Sequence, residues 1–72
     1  MRIYVNIYDK HSDVVSEEVK SFKHAVDWYN RQLENIPEKD LEWVTGIVDI
    51  VDDTEIAVQV SIEEVMDAIA EV

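Results

Sequence analysis

The chain has no cysteine, one glycine, one proline and only six lysines and arginines among its 72 residues. Each scarcity excludes something. Without cysteine there is no disulfide framework and no thiolate zinc site. A single glycine, Gly46, cannot build a phosphate-cradling loop, and so little Gly and Pro rules out collagen-like or low-complexity organisation. Six bases against 17 acids leave a formal net charge of −11, which excludes direct nucleic-acid binding through a basic patch. No apolar run approaches the roughly 18 residues of a membrane span. The opening Met1-Arg2-Ile3-Tyr4-Val5-Asn6 lacks the apolar core of a secretory leader. A cytoplasmic protein without membrane contact is therefore expected.

What is present is a 47% apolar composition with regularly spaced Ile and Val, which argues against disorder. The length predicts one domain over residues 1–72. A chain this short buries only about 60% of the surface its unfolded form exposes, leaving little room for a deep catalytic cleft.

Arg2 to Tyr8 alternates, with Ile3, Val5 and Ile7 on one side and Tyr4, Asn6 and Tyr8 on the other, so it reads as a strand. Val14 to Lys20 fits two patterns. It closes a hairpin as a strand, or it extends a helical stripe through Val15, Val19, Phe22, Val26, Tyr29 and Leu33. The strand over Val14–Val19 is favoured, because Ser21 is a good N-cap and would otherwise lie inside the helix. Phe22 to Asn35 reads as a helix with Phe22, Ala25, Val26, Tyr29 and Leu33 on one face and Trp28 beside it. Glu38–Glu42 reads as an acidic link. Trp43 to Val51 follows as a strand with Trp43, Thr45, Ile47 and Val51 on one face. A type I turn around Asp52 and Asp53 leads to a strand over Glu55–Ser61 with Ile56, Val58 and Val60 inward. Ser61-Ile62-Glu63-Glu64 matches a capping box, and the last helix runs to the end of the chain. The predicted class is α+β: ββαββα, a mostly antiparallel four-stranded sheet with both helices on one face. Two strand–strand–helix halves fit a degenerate repeat, but their side chains do not align clearly.

The charge divides sharply along the chain. Residues 1–33 hold five acids and five bases, whereas residues 34–72 hold twelve acids and the single base Lys39, so the whole excess of −11 lies in the second half. Its clusters are Glu34, Glu38, Asp40 and Glu42; Asp49, Asp52, Asp53 and Glu55; and Glu63, Glu64, Asp67 and Glu71. A solvated acidic face that keeps a small apolar domain soluble is one account. The sharper one is docking on a basic protein surface, of the kind built for nucleic acid. Carboxylates at i and i+2 on a strand stand about 6.6–6.8 Å apart. Such a row can occupy a groove made for the dense charge of a nucleic-acid backbone.

Catalytic and metal constellations are thin. The run Asp49 to Glu55 has the oxygen count of a calcium loop but lacks its glycine and its correctly spaced glutamate. His24 and Asp27 stand three apart on the first helix, a spacing that allows a hydrogen bond, yet no nucleophile accompanies them. No cofactor, metal or catalytic residue is predicted, and no enzyme.

The expected function is an acidic protein-interaction module that binds a basic partner through Glu38, Asp40, Glu42, Asp49, Asp52, Asp53 and Glu55. In size, acidity and lack of cysteine the chain is similar to small phage and mobile-element proteins that inhibit host defence nucleases. That likeness implies a nucleic-acid mimic blocking a nucleic-acid-binding protein. The alternative is a small assembly protein that homodimerises through an aromatic and apolar sheet face of Tyr4, Tyr8, Trp43 and Ile47, its acidity serving solubility only.

Overall fold

A computed structural model describes residues 1–11 and 13–70. In chain order the elements are β1 (Arg2–Tyr8), β2 (Val14–Val19), α1 (Phe22–Leu33), a short 3-10 helix (Glu38–Trp43), β3 (Thr45–Val51), β4 (Ala57–Ser61) and α2 (Ile62–Ala70). The four strands form one antiparallel sheet in the order β2-β1-β3-β4, and both helices cover one face. This is the predicted α+β arrangement. The ambiguous segment is a strand, and the Ser21 hydroxyl does cap α1, accepting the His24 amide at 3.0 Å.

The core follows the alternation of the strands. Ile3, Val5 and Ile7 of β1 and Val48 of β3 meet Ala25, Trp28 and Tyr29 of α1 and Ile62 and Val65 of α2. Trp28, expected beside the apolar stripe, is buried within it.

The halves are two copies of one ββα unit. Shifting the numbering by 43 carries β2 from residue 14 to 57 and Asp9 onto Asp52. The same shift converts the β1–β2 register, with Tyr8 opposite Val14, into the β3–β4 register, with Val51 opposite Ala57. In the helices the shift is 40: Ser21 matches Ser61, Phe22 matches Ile62, Ala25 matches Val65, and Tyr29 matches Ile69. Because Val5 pairs with its own counterpart Val48, an approximate two-fold axis passes through the sheet at that pair. The turns repeat as well. Asp9 Oδ1 accepts the amides of His11 and Asp13, and Asp52 Oδ1 accepts those of Thr54 and Ile56. The repeat is obscured in the sequence because hairpins and helices need different shifts.

Several boundaries differ from the sequence reading. Residues 38–43 form a 3-10 helix instead of a link and a strand start, with Asp40 bonding back to the Pro37 carbonyl and Val44 to that of Leu41. Trp43 therefore belongs to that turn and not to β3. Helix α1 stops at Leu33, where the Asn35 and Ile36 amides turn back to Gln32 and Leu33. The fourth strand begins at Ala57 instead of Glu55, since Glu55 has φ of 64°, outside the β region. Glu71, assigned to the last helix, lies outside the described residues.

Candidate functional site

The seven acids expected to share one surface are separated by the sheet. Glu38, Asp40 and Glu42 sit on the 3-10 helix, before β3 starts. Asp52, Asp53 and Glu55 form the hairpin after β3 ends. Seven residues at about 3.3 Å each put these groups roughly 20 Å apart, at opposite ends of the sheet. Asp40 is also engaged with Lys10 at 3.1 Å. Asp49 lies between the two groups on the sheet face away from the helices, opposite Tyr4.

The β3–β4 hairpin is the sharper of the two acidic sites. The Glu55 amide donates to the Asp52 carbonyl at 3.1 Å, and the Asp52 amide donates to the Ile56 carbonyl at 3.4 Å. These bonds define a type I turn followed by one left-handed residue, a position that favours glycine. Here it is Glu55. Asp52 organises the turn: besides the two amides, its Oδ1 accepts the Thr54 hydroxyl at 2.6 Å. These hydrogen bonds, that of the Thr54 hydroxyl foremost, hold its carboxyl below the ordinary range. Asp53 stands fully exposed at the tip, with the Met1 amine 3.7 Å away, an exposed contact of little strength. The hairpin thus divides its labour. Asp52 shapes the turn, and Asp53 and Glu55 present charge to solvent.

The uncovered sheet face is less apolar than expected. Tyr4, Tyr8, Ile47 and Val51 are half-buried by their cross-strand neighbours. Trp43, 59% exposed, stands outside the sheet on the 3-10 turn. The face is polar at its centre. The Asn6 amide donates to Asp49 Oδ2 at 2.9 Å and to the Ile47 carbonyl, and its Oδ1 accepts the Ser16 hydroxyl. Asn6 and Asp49 are counterparts under the two-fold axis, so the network joins the halves. Asp49 Oδ1 is buried without a hydrogen-bond partner.

The His24–Asp27 hydrogen bond that the spacing allows is not formed. His24 Nδ1 accepts the Lys20 amide, and Asp27 pairs with Lys23 at 3.4 Å. Among the described residues no three His, Asp or Glu side chains converge as metal ligands, and no helix is long and apolar enough to cross a membrane. The Tyr29 hydroxyl is pushed above its usual range by burial and then by the charge of Glu63.

Sequence reasoning missed one apolar site. Ile56 and Val58, expected inward, are 63% and 55% exposed. Val58 is on the helix-facing side of the sheet, opposite Ile50. It stays largely open to solvent on β4, the edge strand of the sheet. Beside Ile50 and Val60 an apolar groove of about 420 Å³ opens towards Phe22, Val65 and Ile69, with Glu64 at its margin. Alternation marks these residues as one-sided but does not reveal where the covering helix ends.

No family model matches the chain, and no curated protein or solved structure is significantly similar to it.

Proposed function

We propose that the protein is an acidic interaction module whose second half docks on a basic protein surface. In the strongest form of this reading the surface is one that a partner uses for nucleic acid, and occupying it inhibits that partner. The observation that carries the reading is the contrast between two halves of one shape. The first unit, residues 1–33, is neutral, whereas the second, residues 44–72, holds eight acids and no base, and the connection over 34–43 carries the remaining −3. Solubility requires charge but gives no reason to load one of two equivalent units. Glu55 adds support, since it holds a carboxylate where the backbone favours glycine. The contact surface is the β3–β4 hairpin, with Asp53 and Glu55 as its exposed charges. Glu38 and Glu42, at the other end of the sheet, join only if the partner spans the whole sheet.

The test is affinity capture from a bacterial lysate at about 50 mM NaCl, eluted at about 0.5 M, with the parent and with Asp53→Asn/Glu55→Gln. The expected result is a basic nucleic-acid-binding protein that elutes with salt and is retained less by the variant. Equal retention by both forms would remove the hairpin from the interface. Homodimerisation through the uncovered sheet face has less behind it. Trp43 is not on that face, and a carboxylate and an amide occupy its centre.

A further inference from the structure

We propose that the outer edge of β4 and the groove beside it receive an extended cationic segment of a partner protein, added as a fifth strand. This rests on the reading of the second half as an acidic docking module and names the form of ligand it takes.

The internal repeat supplies the argument. Strands β2 and β4 are the two edges of the sheet and are equivalent. An inward-pointing charge on an edge strand obstructs strand addition. The first half has one: Glu17 lies opposite Val5 on the helix-facing side. The matching residue of β4 is Val60, and β4, with sequence AVQVS, carries no charge at all. One edge is guarded and the other is open.

The backbone of β4 is suited to pairing. The Asp52 amide bonds to the Ile56 carbonyl, and the register continues unbroken to Ser61. Hydrogen-bonding groups alternate along an antiparallel strand. Ile56, Val58 and Val60 therefore direct their amides and carbonyls to β3, while those of Ala57 and Gln59 point away from the sheet.

The groove has the same origin. Under the helix shift of 40, Trp28 matches Ala68. Trp28 is buried against the sheet, whereas Ala68 is exposed and lines the groove. The small side chain leaves open in the second half the space that an indole fills in the first. A strand laid along β4 would place alternate side chains on the helix-facing side, beside Val58 and over this space.

Charge selects the occupant. Asp53 and Glu55 stand where β4 begins, and Glu64 lines the groove. The only base of the second half, Lys39, lies on the 3-10 helix at the start of β3. A second copy of this chain would bring another −11 to the same edge. A segment alternating apolar and basic residues meets both the groove and the acids.

The probe is a capped eight-residue peptide alternating valine and lysine, titrated into the full chain at about 50 mM NaCl. Three controls accompany it: a block peptide of the same composition, a valine–glutamate analogue, and the parent protein at about 0.5 M NaCl. The alternating peptide should bind best and weaken with salt, and the Ala57 and Gln59 amides should become protected from hydrogen exchange. Ala68→Trp fills the groove with the first half's own residue and should weaken binding about tenfold or more. Gln59→Pro removes an outward amide without breaking a bond to β3 and should do the same, which keeps the test in force if the tryptophan variant does not fold. Absence of binding by the alternating peptide overturns the proposal, as does equal binding of the block peptide or affinity untouched by a folded variant. If Asp53→Asn/Glu55→Gln still weakens a bound peptide in those last two cases, the acidic docking reading stands and only strand addition falls.

Discussion

Replacing Gly46 by alanine tests the packing at the centre of the domain. A Cβ built on Gly46 would lie 2.6 Å from Tyr29 Cε1 and 2.8 Å from Ile62 Cγ2. Both are closer than carbon atoms approach without repulsion. The neighbours have little freedom: Ile62 is wholly buried at the start of α2, and Tyr29 is 6% exposed. Overpacking of this kind costs about 1–3 kcal/mol. The alanine recovers part of it, because a glycine inside a strand is less favourable by about 0.5–1 kcal/mol. Gly46 does not have a positive φ, so no backbone strain is added. The net loss is about 1–2 kcal/mol. For a domain of this length each kcal/mol moves the midpoint by about 4–8 °C, so Tm should fall by roughly 5–15 °C. Thermal unfolding followed by circular dichroism measures this directly. Combining Gly46→Ala with Tyr29→Leu should cost less than the two changes added separately, since the leucine vacates the Cε1 position. A midpoint within about 2 °C of the parent, or above it, would show that the ring does not lie over this strand.

Three further outcomes are expected. Glu55→Gly should stabilise the fold by about 0.5–1 kcal/mol in denaturant titration, because glycine adopts the left-handed conformation without a Cβ penalty, and Glu55→Val should destabilise it. Tm should rise between low and moderate NaCl, because the Debye length shrinks from about 10 Å at 0.1 M to about 3 Å at 1 M and screens the repulsion among excess acids; a steady fall would refute self-repulsion as a load on the fold. The Asp52 carboxyl is lower in the folded chain than in the unfolded one, so its contribution is complete above the ordinary carboxylate range and is lost as pH falls through the lowered folded value. Thr54→Val should move the Asp52 titration, followed by carboxyl NMR, up towards the ordinary value, and an unmoved titration would discount the hydroxyl.

Local pattern determined the elements. Period-two alternation in Arg2–Tyr8 and the spacing of Phe22, Ala25, Tyr29 and Leu33 reflect side-chain geometry within one element, and a single chain displays it in full. Ser21 and Ser61 marked both helix starts, because an N-cap bonds to a residue three positions on. The charge split is likewise a property of order along the chain. Only the tertiary structure decided what those charges do. Strand β3 carried Glu38, Asp40 and Glu42 away from Asp53 and Glu55, and turn geometry converted Asp52 from a binding acid into a hydrogen-bond acceptor for its own loop. Trp43 left the sheet because 3-10 bonds formed ahead of the strand, a competition among i→i+3 contacts that alternation does not report. The repeat, the guarded β2 edge and the open β4 edge depend on which strands are neighbours, and so does the groove beside Ala68. Those relations join residues some forty positions apart, where sequence periodicity has no reach.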